Sequence, residues 1–159
     1  MSKFEELNNN MNSILLKLTS SQKLCKYLHY DSDSPQEEAD IPNTDVLLFS
    51  SIFPLPTVEF SATTEHSYLL AAFDNIKLSS NIRFKEALLR FDIVCHTNLW
   101  NMPGESKLRP YSIANEIDEL INEQRGLGIG KVQFEEAKIL PINEQYSGYR
   151  VTYKLYDFN

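Results

Sequence analysis

A chain of 159 residues with nine Phe, eight Tyr and one Trp suits one packed domain and argues against disorder. Its formal charge of −7 excludes a general nucleic-acid binder, which needs a basic footprint to displace counterions from phosphate. The same balance does not exclude a protein that lets DNA pass without gripping it, since an acidic lumen would repel it.

Phe4, Leu7, Met11, Ile14, Leu15 and Leu18 recur at spacings of three and four. That is one apolar stripe on an α-helix, with Asn8-Asn9-Asn10 on the polar face. Thr19, with Gln22 three residues on, has the form of a capping box. It opens a second short helix through about His29, in which Leu24 and Leu28 share a face. Residues 30–64 carry no sustained period and hold Pro35, Pro42, Pro54 and Pro56, so they read as loop with at most short edge strands. A connection this long has a job or is partly disordered. Within it Leu47, Leu48, Phe49, Ile52, Phe53, Leu55, Val58 and Phe60 are too apolar for free solvent. They should pack on the core or on another subunit.

His66 to Asp74 reads as a strand, and residues 85–97 form the clearest one. Ala87, Leu89, Phe91, Ile93 and Cys95 alternate on an oily face; Leu88, Arg90, Asp92, Val94 and His96 make a mixed one. Period two with one oily face predicts a strand covered on one side. Asn98 to Leu108, with Pro103-Gly104, is a turn-rich connection. Pro110 or Ser112 then opens a helix on which Ile113, Ile117, Leu120 and Ile121 share a face, and Gly126 stops it. Val132 and Phe134 alternate, the phase slips across Glu135-Glu136, and Ala137 and Ile139 resume it, which predicts a β-bulge. Pro141 to Gly148 is a hairpin loop, after which Tyr149, Val151, Tyr153 and Leu155 alternate with Arg150, Thr152, Lys154 and Tyr156. Strands in consecutive runs place the chain in the α+β class, as one domain over 1–159. N-terminal helices and one helix between strands should pack on one face of an antiparallel sheet.

Little in the sequence points to catalysis. Cys95 and His96 are strand neighbours that face opposite ways, so they read as a core cysteine beside a surface histidine. Cys25 and Cys95 read as reduced buried thiols of a protein made in a cytoplasm. His29, His66 and His96 are too dispersed for a short metal-ligand spacing. Gly126, Gly128 and Gly130 follow a helix and open a strand, the reverse of a phosphate loop. The acidic run Asp31, Asp33, Glu37, Glu38 and Asp40 would need glycine and glutamate where Gln36 and Pro42 stand to be a calcium loop. It reads as a solvated loop. No enzyme, metal or cofactor is expected. The N-terminus lacks the form of a signal peptide, and no apolar run approaches the ~18 residues of a membrane span.

The second half carries a family pattern. Its stretches are Phe84-Lys85-Glu86-Ala87-Leu88-Leu89-Arg90-Phe91-Asp92-Ile93-Val94-Cys95-His96, Leu108-Arg109-Pro110-Tyr111-Ser112-Ile113-Ala114-Asn115-Glu116-Ile117-Asp118, Gly128-Ile129-Gly130-Lys131 and Gly148-Tyr149-Arg150-Val151-Thr152-Tyr153. The pattern resembles the tail-terminator and neck proteins of tailed bacteriophages, in element order over most of the chain. The loop at 30–64 fits them only as an insertion. The resemblance implies a structural virion protein made in the host cytoplasm. It would form a homo-oligomeric ring, usually a hexamer, that caps the tail tube and joins the neck, with DNA only passing through the lumen. Ring contacts of this kind are head to tail. The candidate contact surfaces are the free sheet edge and the oily loop, with Leu48, Phe49, Ile52, Phe53, Leu55 and Phe60 as its residues. A head-completion or stopper protein of the same neck and an unrelated partner-binding adaptor are the alternatives.

Overall fold

The N-terminal stripe forms α1 (Lys3–Thr19). In the structure, a computed structural model, residues 3–61, 63–78, 84–122 and 131–156 are described. Ile14 and Leu18 are fully buried, as the stripe requires, while Phe4 at its start is exposed. Asn10 belongs to the buried side and not to the polar face, and its buried side-chain nitrogen has no hydrogen-bond partner among the described residues. The cap of α2 (Gln22–His29) also differs from expectation. Ser21 Oγ accepts from the Leu24 amide, while the Thr19 hydroxyl turns back to the Leu15 carbonyl. Gln22 is thereby free to bridge the backbone of Ile41 with two bonds, at 2.8 and 3.0 Å.

Residues 30–64 form two 3₁₀ turns, Pro35–Glu37 and Thr44–Leu47, and the short strand β1 (Ile52–Phe53). Strands β2 (Ser67–Leu78) and β3 (Phe84–His96) follow. A small hairpin, β4 (Asn101–Met102) and β5 (Lys107–Leu108), fills the turn-rich connection. Helix α3 (Arg109–Ile121) ends at a cap on Asn122, short of Gly126. Gly126, Gly128 and Gly130 lie outside the described residues. The chain closes with β6 (Lys131–Pro141) and β7 (Tyr146–Tyr156).

The main sheet has the order β1-β2-β3-β7-β6. Four strands are antiparallel as expected, but β1 joins its edge in parallel with β2. The predicted bulge is present, as a register shift between Phe134 and Glu136. The fold is α+β. Helices α2 and α3 pack on the inner face through Leu24, Leu28, Ile113 and Ile117 against Leu89, Phe91, Ile93 and Tyr153.

The outer face is not wholly open. Asp92, Val94 and His96 are buried there, which corrects the reading of His96 as a surface residue. Phe60, from the segment before β2, covers that end. Its ring lies 5.3 Å from Tyr68 and 5.4 Å from Tyr146, and Tyr146 lies 5.1 Å from His96. Farther along, the face turns polar, and Arg150 grips Asp92 with two bonds at 2.8 and 3.1 Å.

Candidate functional site

The six residues of the oily loop separate by depth. Ile52 is fully buried on β1, so it belongs to the core and leaves the contact set. Leu48, Phe53 and Phe60 are half-buried, while Leu55 is exposed. Phe49 is 65% exposed and sits at φ +62°. Its turn is closed by three bonds: the Ser51 amide to the Leu47 carbonyl, the Ser50 amide to the same carbonyl, and the Phe49 amide to the Ile52 carbonyl. Those bonds force a left-handed backbone on a residue with a Cβ, at a cost of about 1–2 kcal/mol. An aromatic ring is thus held in solvent by a strained turn, edge-on to Phe53 at 6.4 Å.

At the opposite side of the sheet, β6 is an edge strand whose inner face reaches past α3. Phe134 is 46% and Ile139 68% exposed there, with Tyr111 and Ile142 exposed nearby in the fold. Between α3 and β6 lies a groove of about 340 Å³, floored by Ala114, Val151 and Tyr153, with Phe134 and Ala137 along one wall and Asp118 at the rim. Tyr153 donates to Asp118 Oδ1 at 2.8 Å. Burial first, and that carboxylate second, hold the Tyr153 hydroxyl protonated far above its ordinary range. The strip continues through Tyr149, whose ring lies 5.1 Å from Tyr111 and 6.4 Å from Trp100. A contiguous apolar and aromatic surface beside a free edge is the composition of a contact surface. The alternation of Phe134, Ala137 and Ile139 was legible in sequence, but where α3 stops over them was not.

One arrangement had no signal in the sequence. His66 Nδ1 lies 3.1 Å from both Asp31 carboxylate oxygens, and His66 Nε2 lies 2.6 Å from Ser51 Oγ. Asp31, His66 and Ser51 thus form the hydrogen-bond chain of a nucleophilic triad. Access is what it lacks. Ser51 is 2% exposed, its amide is spent on the Leu47 carbonyl, and its carbonyl accepts from Leu69. A serine built into a sheet edge on all sides cannot meet an acyl group, nor lend its amide to an oxyanion. The chain works as a clasp: it ties the end of α2, the start of β1 and the start of β2 together.

Other candidate chemistry resolves into structure. Cys25 and Cys95 are free and buried, and burial pushes both thiols up to about 12. Of the acidic run, Asp31 joins His66 and Asp40 pairs with Lys26 at 2.8 Å. Among the described residues no three acidic, histidine or cysteine side chains converge as a metal site. No described helix is long and apolar enough to cross a membrane. Arg109, quoted above as part of a family pattern, is buried, with Asp31 and Glu105 near enough to act on its charge but no ion pair to it among the described residues. Its guanidinium donates to the carbonyls of Leu99, Tyr27, Tyr30 and Ser32 and so caps the end of α2.

Residues 21–155 match the YomW family, and the chain belongs to it. That family is phage-derived. No curated protein matches the chain.

Proposed function

Taking YomW membership as the premise, we propose that the chain is a structural protein of a tailed-phage particle, a tail terminator. In this reading copies close into a ring, a hexamer by resemblance, that caps the tail tube and joins it to the neck. Function is interface geometry and not catalysis. No cofactor, metal or membrane takes part, and DNA only passes through the lumen. The protein is made in the host cytoplasm and ends in the virion.

The observation that carries the reading is the free β6 edge beside an uncovered apolar face, Phe134, Ala137 and Ile139. Edge strands exposed in this way pair with another chain or aggregate. The other end of the sheet is unlike it, a two-residue parallel strand under a strained loop. Two unlike edges suit head-to-tail repetition, which closes into a ring when the rotation permits.

Light scattering over a concentration series, with and without assembled tail tubes, tests this. The expected result is a six-subunit particle with a central channel on imaging, formed alone or on the tube. A closed dimer, or a single chain under both conditions, would overturn it. A ring that binds the head portal and not the tube would move the protein to the stopper position in the same neck.

A further inference from the structure

We infer that the cavity between α2, β5 and α3 binds a primary ammonium group on an aliphatic stem, with Glu116 as its counter-charge. The site stands apart from the ring reading and does not rest on it. Helical period sets Glu116 beside Ile113 and Ile117 on α3, which carries its carboxylate to the edge of the core and leaves the residue 8% exposed. Among the described residues Glu116 has no hydrogen bond through its side chain and no ion pair; Lys23 and Lys107 act on its charge from beyond ion-pair distance. Beside it lies a cavity of about 280 Å³, lined by Tyr27 of α2, Leu108 of β5 and Tyr111, Ser112 and Asn115 of α3. The donors of that lining are spent elsewhere. The Ser112 hydroxyl donates to the Leu108 carbonyl at 3.0 Å, the Tyr27 hydroxyl to Glu105 at 3.3 Å, and the Asn115 side-chain nitrogen to Glu119 at 3.5 Å. Water in the cavity would satisfy the lone pairs of Glu116 but leave its charge unbalanced, and a charge this buried calls for a counter-ion.

The walls select the kind of cation. A single carboxylate is too little for a divalent metal, which takes about six oxygen ligands. An ammonium group has three donors. The Glu116 carboxylate, the Asn115 side-chain carbonyl and Ser112 Oγ can accept one each. A guanidinium brings five donors in a rigid fork and would leave some unmet. Leu108 and the rings of Tyr27 and Tyr111 offer the apolar and π surface that suits an alkylammonium stem. A cavity of this size takes a side-chain-sized group and not a larger ligand. The net charge of −7 draws cations to the chain as a whole.

The probe is n-butylammonium, the end of a lysine side chain, titrated while NMR follows the ring protons of Tyr27 and Tyr111. Saturable binding with a Kd of about 1 mM is expected for so small a ligand. Glu116→Gln should weaken it by about 10-fold or more, the loss of one charge-assisted hydrogen bond. The fold survives that substitution, because it removes a buried charge. Lys107→Met takes a competing cation from the cavity wall and should strengthen binding by about twofold or more. Equal binding of 1-butanol, the neutral isostere, or equal binding by Glu116→Gln would overturn the inference. So would weaker binding by Lys107→Met, which would make Lys107 a partner of the ligand and not its rival. Two further probes separate the sources of the ammonium group, and either result supports the site. Tighter binding of 1,4-diaminobutane than of n-butylammonium, by about 10-fold or more, assigns a free polyamine. The same gain for N-acetyl-lysine methylamide assigns a lysine side chain of another protein chain.

Discussion

Replacing Arg109 by Met asks whether a buried cation bonded to backbone carbonyls stabilises this fold. Its guanidinium donates at 2.7–3.0 Å to four backbone carbonyls, three within residues 27–32 and one at Leu99. Those to Leu99 and Tyr27 are fully buried; those to Tyr30 and Ser32 are partly open and can take up water. Each buried carbonyl left without a donor costs about 1–3 kcal/mol, so the pair costs about 4 kcal/mol. Against that, Met removes the penalty of burying a cation, a penalty visible in the lowered pKa of Arg109. The net expectation is a loss of about 3 kcal/mol. At a urea slope near 2 kcal/mol/M this moves the unfolding midpoint down by about 1.5 M. Arg109→Lys should fall between, because an ammonium group lacks the fork that reaches several carbonyls at once. A midpoint unchanged by Arg109→Met would refute the reasoning and mean that the cation's burial cancels its bonds.

Other consequences follow from single contacts. Ser51→Ala should cost about 1–3 kcal/mol by urea unfolding, because it removes the Oγ bonds to His66 Nε2 and to the Leu28 carbonyl that make the clasp. A fluorophosphonate probe should leave Ser51 of the parent unmodified; labelling that vanishes in His66→Ala would instead reveal an active serine. Gly148→Ala should lose about 3 kcal/mol or more, since a Cβ there would stand 1.6 Å from the Ile93 carbonyl oxygen in the paired strand. An unshifted thermal midpoint would show that β3 and β7 can separate to admit a methyl group. Burial raises the Glu116 carboxyl above its ordinary pKa. The folded state therefore holds that proton to higher pH than the unfolded state, and stability falls as pH rises through the interval. Glu116→Gln should be more stable than the parent at pH 7, with the difference closing below about pH 4, the ordinary Glu range. Parallel unfolding curves at the two values check this, and a difference that grows in acid would reverse the sign.

The sequence by itself determined the elements whose signal is local. The α1 stripe, the alternation of β3 and the phase slip before Ala137 each follow from where covalent geometry points successive side chains, at period 3.6 or two. Choices between neighbours competing for one partner were not local. Thr19 and Ser21 are both competent caps, and the turn geometry gave the Leu24 amide to Ser21. Within the oily loop the residue types do not differ between Phe49 and Ile52. Docking of β1 on β2 sent Ile52 inward, and the turn that this docking demanded sent Phe49 outward. The burial of His96 came from Phe60 and Tyr146, residues 36 and 50 positions away. Asp31, Ser51 and His66 meet only because three segments converge, and the groove beside β6 exists only because α3 ends where it does. Periodicity is a property of the chain and can be read along it. Which surfaces are covered depends on partners brought from elsewhere, and that was decided by the tertiary structure alone.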